Sequence, residues 1–149
     1  MTDSKKALCL AMVTDDFLPA KTGVGVHVQE ISLELIRRGH RVVVITSRRK
    51  GQPIFEEWQG IRIFRGWSLT IAGYPQALPR RSTLQRMLLA ENVDVVHFHY
   101  LSFLMWQGLM VAREMGLKTL YTAHMSVDLL VQPFFMKPLL PLFTRLYFV

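Results

Sequence analysis

Two short apolar runs flanking an amphipathic stretch restrict the fold of this chain more than any other feature. Ala7 to Val13 (ALCLAMV) carries no charged or hydrogen-bonding side chain apart from a thiol, and Arg41 to Thr46 (RVVVIT) is valine-rich. Uninterrupted apolar runs of this length, bounded by turn formers, read as strands buried on both faces. Between them Val28, Ile31, Leu35 and Ile36 recur at helical spacing, with Glu30, Glu34, Arg37 and Arg38 on the other side. Gly39 then supplies a left-handed stop. Strand, loop, helix and strand make a βαβ unit, in which the two strands lie parallel and the crossover is right-handed.

The pattern repeats downstream. Ile61 to Phe64 alternates as a third strand, Ser82 is placed to cap a helix over 83–90, and 93–98 reads as a fourth strand. Phe103 to Met115 has helical spacing and stops at Gly116, and Lys118 to Thr122 is a fifth strand. The expectation is an α/β domain: a Rossmann-like, doubly wound parallel sheet of order 3-2-1-4-5. SVDLLVQPFFMKPLLPLFTRLYFV follows and runs to Val149 with no return strand. This predicts a domain that is incomplete at its C-terminus. A membrane span is disfavoured there, because Asp128, Lys137 and Arg145 would each cost roughly 3 kcal/mol at a helix centre. An interfacial segment, or a core-facing helix lacking its cover, both fit.

The chain is at once hydrophobic (50%, mean hydropathy +0.22) and basic, with a formal net charge of +7. Nucleic acid, an anionic membrane and an uncovered domain interface are the three partners that such a balance suggests. The basic residues fall in short groups such as Arg37-Arg38, Arg48-Arg49-Lys50 and Arg80-Arg81, without aromatic interleaving. That pattern argues against nucleic acid. The single cysteine, Cys9, allows no disulfide within the chain. The eight-residue apolar run from Ala7 to Thr14 is too short for a signal sequence, and it ends in two aspartates. The expected compartment is the cytoplasm.

In an open parallel sheet, ligands bind at the carboxyl ends of the strands beside the switch in strand order. The loops at 14–26, 46–51, 99–102 and 123–128 meet there. Gly23-Val24-Gly25 precedes a helix, whose first amides can receive an anion. The dinucleotide fingerprint is not met, since Gly23 lies nine residues past Thr14 and Val28 stands where a third glycine is needed. Arg48 and Arg49, ending the second strand, leave an NADP-type phosphate reader as an alternative. His97 and His99 alternate and so share one side. His99, at the strand end, is the cleft candidate, and His97 is expected to pack deeper. Two histidines do not make a metal site without a third ligand, and no metal is predicted. Asp15 and Asp16 are expected to contact acceptor hydroxyls or to cap their loop. A receiver-type magnesium site would need an aspartate after IRIFRGW, and none is there. His27 and His40 read as helix-flank residues without chemistry.

Three segments in order carry a resemblance. VTDDFLPAKTGVGVHVQEISLELIRRGHRVVVIT (13–46), VDVVHFH (93–99) and TLYTAH (119–124) are similar to the opening, the fourth strand and the fifth strand of family 4 glycosyltransferases of the GT-B fold. The resemblance covers nearly the whole chain. It implies the N-terminal, acceptor-side half of a two-domain enzyme, with the nucleotide-sugar held mainly by a C-terminal domain carrying an E-x7-E signature. It implies transfer with retained anomeric configuration and no metal or other cofactor, and no D-x-D motif is present. Gly23 matches the second glycine of the family's pair, whose backbone approaches the donor phosphate. Thr22 stands where the family has the first, and Gly25 offers compensation. His124 matches the family histidine near the transferred sugar, and Asp15, Asp16, His99 and Asp128 share the rim assigned to the acceptor. Without its second domain the chain is expected to be inactive. Its apolar tail, its arginine pairs and Trp67 suit a lipid acceptor at an anionic membrane, with a soluble sugar or sugar phosphate as the alternative. From a different class, a non-enzymatic module binding a ligand or partner also fits, and exposed apolar surface would favour a homo-oligomer.

Overall fold

The computed structural model describes residues 6–19, 22–71 and 73–124. Within them the elements run β1 (Cys9–Val13), α1 (Gly23–Arg37), β2 (Arg41–Ser47), β3 (Phe55–Trp58), β4 (Ile61–Gly66), β5 (Ser68–Ile71), β6 (Tyr74–Ala77), α2 (Arg81–Ala90), β7 (Val95–Phe98), α3 (Phe103–Glu114) and β8 (Lys118–Tyr121). The main sheet has the order β3-β4-β2-β1-β7-β8. β1 pairs in parallel with both β2 and β7, β2 with β4, and β7 with β8, while β3 joins β4 antiparallel. The expected 3-2-1-4-5 order is therefore present as β4-β2-β1-β7-β8. The chain leaves β1 toward β2 and later returns to its other side as β7, so the switch point lies at the end of β1.

Alternation along the strands divides the core in two. Ala11 and Val13 of β1, Val43 and Ile45 of β2, and Val96 and Phe98 of β7 pack with Leu84 and Leu88 of α2 and Leu104, Val111 and Ala112 of α3. Met12, Val42, Val44, Ile61 and Ile63 pack on the other face with Val28 of α1. Successive residues of a strand point to opposite faces, so one helix covers one face and two cover the other. Each large side chain fully buried here, such as Phe98 or Leu104, contributes about 1.5–3 kcal/mol. Packing is closest where α3 crosses β7: a methyl group on Gly108 would stand 2.9 Å from Phe98 Cε1. Gly39 and Gly116 take φ of +85° and +66° after α1 and α3, as the sequence predicts.

One local expectation is corrected, and two features were not foreseen. α2 begins at Arg81 with Arg80 in the capping position and no side-chain cap, so Ser82 lies inside the helix. The antiparallel edge β3 and the β5–β6 hairpin are additions that the sequence reading lacked. The tail from 125 onward, which includes Asp128, lies outside the described residues. Among the described residues no helix is long and apolar enough to cross a membrane.

Candidate active site

Strand parity explains which histidines meet. Val96 and Phe98 face α2 and α3, so His97 and, just beyond the strand, His99 fall on the α1 side. His27 comes down from the second turn of α1, and His124 follows β8. The ring centroids of His27 and His124 are 4.7 Å apart, those of His97 and His99 3.9 Å, and those of His27 and His99 5.8 Å. His99 Nδ1 lies 3.3 Å from His124 Nε2, and His97 Nε2 lies 2.8 Å from Thr122 Oγ1. Nε2 of His27 and Nε2 of His99 have no hydrogen-bond partner among the described residues. His27 was read from sequence as a residue without chemistry, and the structure corrects that by making it a wall of this group. The relative depth of the strand histidines is also corrected, for His99 is fully buried and His97 slightly less so.

Burial governs the charge of the cluster. Desolvation, then the charges of His27 and His124, hold His97 at about 4. Desolvation, then neighbouring His97, hold His99 at about 3. Desolvation followed by His27 lowers His124 as well. These imidazoles are therefore neutral near pH 7 and offer one N–H donor and one acceptor each, rather than a positive charge. Ring nitrogens of His27, His99 and His124 lie within 4.8 Å of one another, a spacing that a transition metal could bridge. The third ligand that sequence reasoning did not find is His27.

Asp15 occupies the end of β1 on the other side of the switch point. Its Oδ1 accepts hydrogen bonds from Ser47 Oγ at 2.7 Å and from the Ala77 amide at 2.6 Å, joining β1 to the ends of β2 and β6. Oδ2 makes no hydrogen bond. Desolvation raises this carboxyl above the usual range, and the Ala77 amide, then the Ser102 and Ser47 hydroxyls, pull against it. Asp16 is paired with Arg49 at 2.9 Å, which ties that arginine to the loop after β1. A pocket of about 320 Å³ opens between Asp15, Asp16, Thr22, Val24, Tyr74 and Tyr100. It links the carboxylates, the start of α1 and the hairpin. Tyr100 keeps its phenolic proton, its pKa raised by burial and then by the charge on Asp15.

The glycine loop enters α1 through Thr22, whose Oγ1 accepts from the Gly25 amide at 3.1 Å. The residue in the place of the first glycine is thus an N-cap. Gly23 is exposed at the first helical position and Gly25 is buried. No acidic residue occupies the first turn, so the positive end of the helix faces the rim uncompensated. Of the residues singled out from sequence, Asp15, Asp16 and Thr22 share the pocket, while His99 and His124 touch each other. Asp128 lies outside the described residues. Tyr74 and Tyr100 were missed, as was His27; their only sequence signal was position, Tyr100 following the β7 histidines and Tyr74 beginning an unpredicted strand.

The switch point of this doubly wound α/β domain thus gathers a histidine group, a carboxylate-lined pocket and the start of α1. The chain belongs to Glycosyltransferase Family 4, whose profile matches residues 21–148. It is 34% identical over 125 residues to the gpi3 subunit of phosphatidylinositol N-acetylglucosaminyltransferase of Schizosaccharomyces pombe, covering 76% of this chain and 26% of that protein. It is 25% identical over 126 residues to the alpha-monoglucosyldiacylglycerol synthase of Streptococcus pneumoniae, covering 80% and 27%. The chain thus spans about a quarter of the length of these relatives. Among solved structures, a glycosyltransferase from Rickettsia africae superposes with a TM-score of 0.57 at 16% identity, over 79% of this chain and 30% of that one, which shows the shared fold.

Proposed function

We propose that this chain is the acceptor-side part of a retaining glycosyltransferase that moves a hexose from a nucleotide-sugar to a hydroxyl of a lipid or sugar acceptor. One observation carries the reading: the start of α1, the histidine group and the Asp15 pocket all meet at the switch point, with His27 of α1 in ring contact with His124. The donor would be held mainly by a second domain, its phosphate coming to the amides of Gly23 and the first turn of α1. This fits a chain that spans a quarter of its relatives, and the chain alone is expected to be inactive. In the transfer, the bond between the anomeric carbon and the donor phosphate oxygen breaks. The acceptor oxygen bonds to that carbon on the same face, and its proton passes to the departing phosphate. No step calls for a metal. His124 hydrogen-bonds a sugar hydroxyl, and developing negative charge meets the helix amides and imidazole N–H groups rather than imidazolium. Asp15, Asp16 and His99 take acceptor hydroxyls, which suit the free Oδ2 and the free Nε2.

A lipid acceptor fits best, since the two relatives are named for transfer to phosphatidylinositol and for synthesis of a glucosyldiacylglycerol. Trp67, Leu69, Ile71 and Tyr74 stand 46–63% exposed on and beside the β5–β6 hairpin; Arg80 and Arg81 follow it in sequence, and Arg48 is joined to it through the Ser68 hydroxyl, which donates to the Arg48 carbonyl. Apolar side chains beside cations are how peripheral proteins seat on an anionic leaflet, here the cytoplasmic one. Several relatives are named as subunits, so a partner subunit is a further candidate neighbour. The test is to incubate the full-length polypeptide with nucleotide-sugars and vesicles holding phosphatidylinositol or diacylglycerol, and to follow sugar into the lipid fraction. Sugar should appear there with its anomeric configuration kept. Thermal stabilisation by NADPH and by no nucleotide-sugar would overturn the proposal and favour a dinucleotide module.

A further inference from the structure

A second concavity lies at the base of the β5–β6 hairpin, apart from the pocket that holds Asp15. It encloses about 440 Å³ and is lined by Arg48, Arg65, Trp67, Pro79, Arg80 and Thr83 among others. Three guanidinium-bearing residues thus line one cavity, and no carboxylate does. Arg65 is the informative member. Its side chain is 1% exposed, yet it has one acidic partner, Glu56 at 2.6 Å, which is itself partly exposed. The same Nη2 also donates to the Leu18 carbonyl at 3.1 Å, while Nε and Nη1 have no partner. A buried guanidinium with most of its fork unmet carries a large desolvation cost. Arg48 and Arg80 make no ion pair among the described residues to offset the crowding of positive charge.

The cavity also takes in the start of α2. This ten-residue helix has no acidic residue in its first turn and no side-chain cap at Arg80; the Thr83 amide turns back to the Arg80 carbonyl at 2.9 Å, which leaves the amides of Arg81 and Ser82 open. Open amides, a buried and half-satisfied fork and two further arginines all ask for the same ligand, a compact anion that accepts several hydrogen bonds. The space exceeds that needed by a bare ion and leaves room for an ester substituent. We propose that this cavity is a phosphate-binding site, in which Arg65, Arg48, Arg80 and the first turn of α2 hold a phosphate mono- or diester. The ester is either a phospholipid headgroup or a soluble phosphate ester. The lipid source rests on the reading of the chain as part of a lipid-directed transferase; phosphate binding itself does not.

Inorganic phosphate titrated calorimetrically into the full-length protein in chloride buffer tests the site. Saturable binding is expected. It should weaken by roughly tenfold for each guanidinium lost in the Arg48→Gln/Arg80→Gln double variant. An Arg37→Gln/Arg38→Gln variant, which removes the same charge from the end of α1, should bind as the parent does. Arg65→Lys keeps the charge and loses the fork, and should also weaken binding; should it fail to fold, the double variant still decides. Absence of saturable binding, or an equal loss in the control pair, overturns the proposal. Flotation with phosphatidylcholine vesicles, with and without phosphatidylglycerol, separates the sources. Phosphate that competes the protein off phosphatidylglycerol assigns the site to a lipid headgroup, and phosphate that binds without competing assigns it to a soluble ester. Neither arm uses a sugar donor, so failure here leaves the transferase reading standing, and failure of transfer leaves this site standing.

Discussion

Asp15 and His99 follow the neighbouring strands β1 and β7, and both are buried at the carboxyl rim, but they are held in different ways. Asp15 gives one oxygen to two donors from two other elements, Ser47 and Ala77. It fastens the ends of β1, β2 and β6 together, and only Oδ2 is left for a ligand. His99 has one side-chain hydrogen-bond contact among the described residues, 3.3 Å to His124, and a ring nitrogen with no partner, and burial keeps its own ring uncharged. A buried polar atom is normally satisfied, so the difference separates a group that the fold consumes from one that it leaves for something else. The aspartate side should therefore respond to substitution in stability, and the histidine side in function.

The largest expected effect lies on the histidine side. His124→Ala in the full-length polypeptide should lower kcat for transfer by about 10²-fold, the scale for losing one preorganised hydrogen-bond donor. The side chain is only partly buried, and among the described residues its hydrogen-bond contact is with His99. Its melting temperature should therefore move by no more than a surface substitution does. A large fall in melting temperature with kcat preserved would show that the histidines are structural, and the contrast with Asp15 would be gone.

Next comes Asp15→Ala, which leaves the Ser47 hydroxyl and the Ala77 amide unpaired in a buried place and should destabilise the fold by about 2 kcal/mol in urea unfolding. Asp15→Asn sharpens the point through pH. The folded carboxyl is raised above its ordinary 3.8 by desolvation, so its contribution to stability is present in full below that value. It is lost as pH rises through the raised one. The asparagine variant lacks this loss. Its stability relative to the parent should therefore improve between pH 4 and pH 7, and a difference that stays flat would mean that Asp15 is solvated in the fold.

The contrast also explains what could be read in the sequence. ALCLAMV and RVVVIT announced β1 and β2 because strands buried on both faces need no alternation, and R-G-H marked the end of α1 through Gly39. The β5–β6 hairpin gave no such signal: SLTI is mostly exposed, and the partner strand YPQA contains Pro75, so neither period nor propensity singled it out. The rim aspartates were legible by position, directly after a strand. His27 was missed although the clue was present. It lies three residues after Val24 and four before Ile31, on the stripe that packs toward the sheet, and a histidine on that stripe has to be buried or used. The cap at Thr22 was hidden behind the glycine pair to which it was compared.

Gly23→Ala is the smallest perturbation of the fold and a direct probe of the division between structure and function. A methyl group built on Gly23 meets nothing within 4 Å, and the residue already has helical backbone at the first position of α1. Folding should tolerate the change, gaining about 0.5 kcal/mol from the reduced freedom of the unfolded chain. Nothing in the domain itself therefore requires glycine here. A requirement for glycine would come from outside: a donor phosphate reaching the open amides of α1 across the cleft would meet the new methyl group first. The expected outcome in the full-length polypeptide is a donor KM roughly tenfold higher, with the acceptor KM and the melting temperature essentially unchanged. An unaltered donor KM would place the phosphate elsewhere. In that case the open start of α1 would have to be counted with Asp15, as architecture, rather than with His124.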